Sequence, residues 1–300
     1  MRMFYETIIF AFLFFSCGGP DGNSSGGTNS AYSFAQSQSL INPSGKTLEA
    51  RFLLPEGYQR TKADSTSFGH YLRKLPLKPD GSKVKYYDGE EKTKSGVYDA
   101  VVDLAIGTKD LHQCADAVMR LRAEYLYSQK KYDQIHFNFT NGFRCDYSEW
   151  MKGKRIVVNG NKVSWKQSAP PSNANKDFWS YLEMIFSYAG SLSLSKEMKS
   201  VPVEELQIGD VFILGGSPGH AVIVVDVAEK VENADASGQH PGRQKRDRIF
   251  MLAQSYMPAQ ETQILKNPND DKLSPWYSVD FGEDLKTPEW TFYKNQLMRF

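Results

Sequence analysis

The chain has 300 residues and sets 36 Lys and Arg against 35 Asp and Glu, a net charge of +1. That balance lacks the basic excess through which counter-ion release drives nucleic-acid binding, so no nucleic acid is expected as a partner. Aromatic residues make up 13% of the chain; core packing uses such rings more often than binding platforms do, so the enrichment carries little functional weight.

At the N-terminus Arg2 precedes the apolar run Ile8 to Phe15, and Ser16-Cys17-Gly18-Gly19 follows. The run is far short of the about 20 apolar residues that cross a bilayer as a helix, so residues 1–16 read as a signal peptide. A small residue before the cysteine and glycines after it resemble a lipobox, although Phe14 and Phe15 stand where Leu and a small residue are commoner. The resemblance implies acyl chains on Cys17, and hence a protein held by lipid at the bacterial cell envelope, periplasmic or surface-exposed. Residues 17–45 form the lipidated N-terminus and a tether rich in Gly, Ser and Asn, a composition that buries too little apolar surface to order itself. Residues 46–300 remain as a single globular domain.

Within that domain, Leu48 to Leu54 reads as a strand ended by Pro55-Glu56-Gly57, and Tyr98 to Ile106 as another closed by Gly107. From Leu111 to Gln129 the residues Cys114, Ala117, Val118, Leu121 and Tyr125 recur at helical spacing, with Asp110 as the natural N-cap. Short strands are expected at Ile135 to Phe139 and Arg155 to Val158. A second helix covers Phe178 to Ala189, capped by Asp177 and stopped by Gly190. The last third changes character: Asp210 to Gly215, a turn over 216–219 and His220 to Ala228 make a β-hairpin, and Arg248 to Tyr256 is a third strand. Asn267, Pro268, Pro275 and Pro288 then punctuate a tail that reads as mostly irregular. Helices followed by an antiparallel sheet define an α+β fold.

Three features carry chemistry. Cys114 lies in the first turn of its helix, where unpaired N–H groups and the helix dipole favour a thiolate. His220 follows a glycine at a turn-to-strand junction that can present an imidazole. A third group should orient that ring. Asp226 lies on the same strand about 20 Å away at roughly 3.3 Å per residue, too far to do so. An antiparallel third strand would return Gln254 and Ser255 to the level of His220, with alternation letting only one of the two face it.

The segment Pro202 to Phe212 (PVEELQIGDVF), followed by Gly219-His220-Ala221-Val222-Ile223-Val224, resembles the Gly-Asp, strand, His-strand block of papain-like cell-wall amidases of the CHAP type. In those families a cysteine opens an upstream helix, as Cys114 does after Gln113, and the third residue often sits on the following strand. Here Gln254 or Ser255 stands where Asn, Asp, Glu or His is usual. The resemblance implies a papain-like core, a cysteine-bearing helix packed on an antiparallel sheet, and a cysteine amidase or peptidase acting on peptidoglycan or an envelope peptide. Cys114 would attack, His220 would move the proton, and the backbone N–H of Cys114 with the side chain of Gln113 would hold the oxyanion. No metal or organic cofactor is implied.

Most of the mature chain also resembles an uncharacterised family of Bacteroidetes-type lipoproteins built on a domain of unknown function. The stretches that carry this likeness are Arg51 to Gly57, Phe68 to Arg73, Leu75 to Gly81, Gln113 to Tyr127 and Leu252 to Gln260. That likeness brings no activity with it. Two readings compete with catalysis. Lipidation of Cys17 leaves Cys114 and Cys145 as an even pair in an oxidising compartment, which invites a disulfide. Alternatively, the same fold is a non-catalytic lipoprotein that binds a glycan or peptide. His70, His112, His136 and His240 show no metal-ligand spacing and read as surface or satisfied polar residues.

Overall fold

A computed structural model describes residues 39–231 and 247–300. The expected signal peptide over 1–16, the lipidation site Cys17, most of the tether and His240 lie outside those residues. Residues 39–300 form one compact unit. Residues 40–45, placed in the tether by composition, belong to it: Ile41 bridges Phe52, and the N–H of Asn42 donates to the Arg51 carbonyl at 2.7 Å. Among the described residues no helix is long and apolar enough to cross a membrane.

In chain order the unit opens with helix α1 (Leu48–Arg51), strand β1 (Tyr58–Arg60), helix α2 (Phe68–Arg73) and strand β2 (Tyr98–Val101). The long helix α3 (Cys114–Ser128) follows. Next come the hairpin of β3 (His136–Asn138) and β4 (Arg144–Asp146), helix α4 (Tyr147–Met151), and the hairpin of β5 (Lys154–Asn159) and β6 (Lys162–Gln167). Helices α5 (Asn175–Tyr188) and α6 (Ser191–Glu197) complete the helical part. The rest is strand: β7 (Lys199–Ser200), β8 (Val211–Leu214), β9 (His220–Lys230), β10 (Arg248–Gln254), β11 (Gln263–Leu265), β12 (Tyr277–Ser278), the hairpin of β13 (Asp284–Lys286) and β14 (Thr291–Tyr293), and β15 (Leu297–Arg299).

The main sheet runs β2-β11-β10-β9-β8-β15-β7, with β1 paired to β9 and β12 to β10. Every pairing in it is antiparallel, so the α+β expectation holds. Strand β9 is buried from His220 to Ala228 because both faces of the sheet are covered. Ala221, Ile223 and Val225 pack into a core with α3 and α5, whereas Val222, Val224 and Val227 pack with Phe250, Leu285, Phe292 and Leu297. A continuous apolar run is what a doubly covered strand needs, in place of strict alternation.

Several expectations are corrected. Leu48 to Leu54 is not a strand. Leu48, Arg51 and Phe52 are the buried positions, a helical spacing, and the N–H of Phe52 donates to the Leu48 carbonyl at 3.1 Å. The α3 helix begins at Cys114 with Gln113 as its cap; Asp110 instead accepts from the N–H of Ala259 at 2.7 Å. Helix α5 starts at Asn175, and Asp177 lies inside its first turn, accepting from the Ser172 hydroxyl at 2.6 Å. The tail is not irregular: it supplies β11 to β15, whose apolar residues cover the second face of β9.

Candidate functional site

Cys114 is the first residue of α3, and its exposure is only 9%. As an N-terminal helical residue it sits among N–H groups that have no intrahelical acceptor. Helix α3 packs on β9, and the backbone N–H of Ala221, the residue that follows His220, favours the charged form of the thiol. The helix thus delivers the thiol to the start of β9.

His220 opens β9 opposite Leu214 of β8. The preceding Gly219 has no room for a side chain, since a Cβ there would lie 2.4 Å from the Gly216 carbonyl and 2.5 Å from the Ser191 hydroxyl. The turn into β9 is therefore packed directly on the start of α6. Around the imidazole stand Tyr256 at 4.8 Å between ring centroids, Trp290 at 5.3 Å and Phe292 at 5.8 Å.

Gln254 reaches the ring, with His220 Nε2 2.9 Å from Gln254 Oε1. The register explains the contact. Ala253 pairs with Ile223, which puts Gln254 at the level of Val222, and His220 lies two residues along the same face. That is a diagonal cross-strand contact within reach of a long side chain. Ser255 turns to the other face, where its single O–H lies between two carbonyl acceptors, His112 at 2.9 Å and Gln260 at 2.7 Å. It ties the approach to α3 onto the loop after β10 and does not reach His220. The side chain of Gln113, expected at the oxyanion, is engaged elsewhere: its Nε2 donates to Asp110 Oδ1 at 3.2 Å.

Two groups that the sequence reading missed complete the arrangement. Glu289, on the turn between β13 and β14, accepts from Gln254 Nε2 at 2.7 Å, and the same oxygen receives Lys92 Nζ at 2.7 Å. Both side chains are nearly excluded from water, at 6% and 2% exposure. Neither lies in a motif, and Glu289 comes from the stretch that reads as irregular, so no sequence signal pointed to them.

Burial dominates the electrostatics. It pushes the Cys114 thiol up to about 11, against the N–H of Ala221, which pulls the other way. It pushes the His220 imidazole down to about 4, against the hydrogen bond to Gln254 and the charge of Glu289. Burial thus opposes the thiolate that the helix N-terminus favours. Cys145, on β4, is pushed higher still by burial. Both cysteines are free thiols, which removes the disulfide reading. His112 is fully buried and its Nδ1 lies 3.2 Å from the Gln260 carbonyl, so it is a core residue. Among the described residues no group of three His, Cys, Asp or Glu side chains could hold a metal ion.

Residues 48–299 match the family described as a domain of unknown function (4846), DUF4846. The chain belongs to that family. The DUF4846 match takes in Cys114, His220, Gln254 and Glu289 together, along with the sheet that positions them. No curated protein and no solved structure matches the chain.

Proposed function

We propose that this DUF4846 protein is a lipid-anchored protein of the bacterial cell envelope with a papain-like cysteine hydrolase site, an amidase or peptidase for peptidoglycan or an envelope peptide. The observation that carries the reading is the His220 Nε2 to Gln254 Oε1 contact of 2.9 Å on a sheet whose strand β9 packs against α3, the helix that Cys114 opens. Nucleophile, base and orienting amide are the parts that acyl transfer through sulfur requires. In this mechanism the Cys114 proton passes to His220 Nδ1 as the sulfur attacks the carbonyl carbon. The oxyanion is held by first-turn N–H groups of α3, which have no intrahelical acceptor. Collapse returns the proton from His220 to the leaving amine and leaves a thioester. Water, activated by the same imidazole, then releases the acid and restores the thiol.

The test is to incubate the purified protein and its Cys114→Ala variant with muropeptides and with envelope peptides, and to follow new amine and carboxyl ends by mass spectrometry. Cleavage by the parent chain alone is expected. Equal cleavage by both, or cleavage by neither, removes the hydrolase. In the second case the alternative takes its place, a non-catalytic glycan- or peptide-binding lipoprotein, which the high pKa of Cys114 and the aromatic collar of Tyr256 and Trp290 favour. Anchoring has its own test. Cys17→Ala should leave the precursor uncut or move the protein out of the membrane fraction. A variant still processed and membrane-bound would end the lipoprotein proposal.

A further inference from the structure

We infer that Glu289 is a positioning residue that decides which nitrogen of His220 carries the proton, acting through the amide of Gln254. The catalytic meaning of this inference rests on the hydrolase reading; the tautomer itself does not.

A glutamine side chain can meet an imidazole in either of two ways. With its oxygen toward the ring it requires Nε2–H, and Nδ1 keeps a lone pair. Turned by 180° it offers an N–H, which requires a bare Nε2 and puts the proton on Nδ1. Shape hardly separates the two, because the amide oxygen and nitrogen are nearly the same size. The choice falls to whatever the far end of the amide meets. In this protein it meets an accepting oxygen: Gln254 Nε2 donates to Glu289 Oε2 at 2.7 Å, and the same oxygen accepts from Lys92 Nζ at 2.7 Å. Rotating the amide would set two oxygens against each other in a site nearly closed to water, where an unpaired acceptor is costly.

The carboxylate is itself fixed. Lys92 Nζ donates to Glu289 Oε2 at 2.7 Å and to Gln260 Oε1 at 3.0 Å, and Lys94 Nζ stands 3.5 Å from Glu289 Oε1. The oxygen that Gln254 meets thus already accepts from Lys92, and the other carboxylate oxygen faces Lys94. The turn that carries it is closed by Thr287, whose N–H donates to the Trp290 carbonyl at 2.8 Å and whose hydroxyl accepts from the Trp290 N–H at 3.1 Å. A chain of fixed donors and acceptors thus runs from Lys92 through Glu289 and Gln254 to His220. It ends with Nε2–H donating to Gln254, which leaves the lone pair on Nδ1. This is how a glutamine can hold a single tautomer of His220.

The experiment reads the His220 ring nitrogens by long-range proton–nitrogen correlation on the full chain labelled at histidine, with His220→Asn to assign the signals. The variants are Glu289→Gln, Glu289→Ala, and the double change Lys92→Met with Glu289→Leu, which leaves no lone buried charge and so guards against unfolding. The parent chain should show Nε2 protonated. Glu289→Gln should too, because its amide oxygen can still accept from Gln254. Glu289→Ala and the double variant should show the Nδ1–H form, and their Cys114 alkylation at fixed pH should slow roughly tenfold, since a misdirected amide no longer supports the imidazolium. Nε2–H retained in the folded double variant would overturn the proposal, as would a Glu289→Gln variant that switches like Glu289→Ala. If the tautomer switches as expected but the parent chain cleaves no amide, the positioning role stands and the hydrolase reading falls.

Discussion

Replacing Asp226 with alanine should cost the fold about 3–5 kcal/mol, the usual consequence of removing one partner from a buried ionic cluster. The Asp226 side chain has no exposure, and its two oxygens receive Arg60 Nε and Arg73 Nε, each at 2.6 Å. The N–H of Val227 adds a third hydrogen bond at 2.8 Å. Each arginine also reaches onward, Arg60 to the Phe52 carbonyl at 2.6 Å and Arg73 to the Thr61 carbonyl at 2.7 Å. One carboxylate therefore fastens β1 and α2 to the back half of β9. Without it Arg73, whose side chain is 7% exposed, has no water to turn to. Urea unfolding should show a lower midpoint with an unchanged slope. A loss below about 1 kcal/mol would mean that the arginines find other partners. Changing all three residues to apolar ones of similar size should recover much of the loss, because the desolvation cost disappears with the charges. The folded fraction of Asp226→Ala should keep the parent chain's rate of Cys114 alkylation, since the aspartate lies six residues along β9 from His220.

Much of the fold was legible because the sheet strands announce themselves. The apolar runs at 211–214, 220–228 and 248–253 are strands in the structure, and α3 and α5 follow their periodicity. The failures have physical causes. Leu48 to Leu54 holds enough apolar residues for a strand, and only the burial of the Arg51 guanidinium, which donates to the Gly45 carbonyl at 2.9 Å, shows why its period is helical. The tail looked irregular because its strands are two or three residues long, below the length at which alternation can be read.

In the candidate site, the choice between Gln254 and Ser255 as the residue beside His220 could not be made from the sequence. A single irregularity makes that choice. Met251 pairs with Asp226 and Leu252 with Val224, so Val225 is an extra residue in β9. In an unbroken ladder Gln254 would fall opposite Ile223, and Ser255 would share the face of His220. No composition rule marks Val225 as a bulge in a run of valines. Glu289 and Lys92 were beyond reach for a different reason. Their meeting joins two loops 197 residues apart in the chain, and sequence spacing carries no trace of it.

If the hydrolase reading holds, His220→Ala should lower the kcat/KM of the amide found by the cleavage test roughly 100- to 10,000-fold, the range that a positioned general base supplies. Its pH dependence should also differ from that of a preformed thiolate–imidazolium pair. The His220 imidazole is pushed from 6.5 to about 4, so it is neutral and able to accept a proton at every pH above that value. Activity should therefore fall as pH drops through about 4, where the ring becomes charged, and no limb should appear near 6.5. The Cys114 thiol is pushed from 9.0 to about 11 and stays protonated below that value. The base therefore works by taking the thiol proton during attack, across a plateau bounded by those two values. His220→Ala removes the acid limb together with the rate. A limb between pH 6 and 7 in the parent chain would show that water reaches the ring and that burial does not control it. A plateau that survives in His220→Ala would show that some other group takes the proton from Cys114.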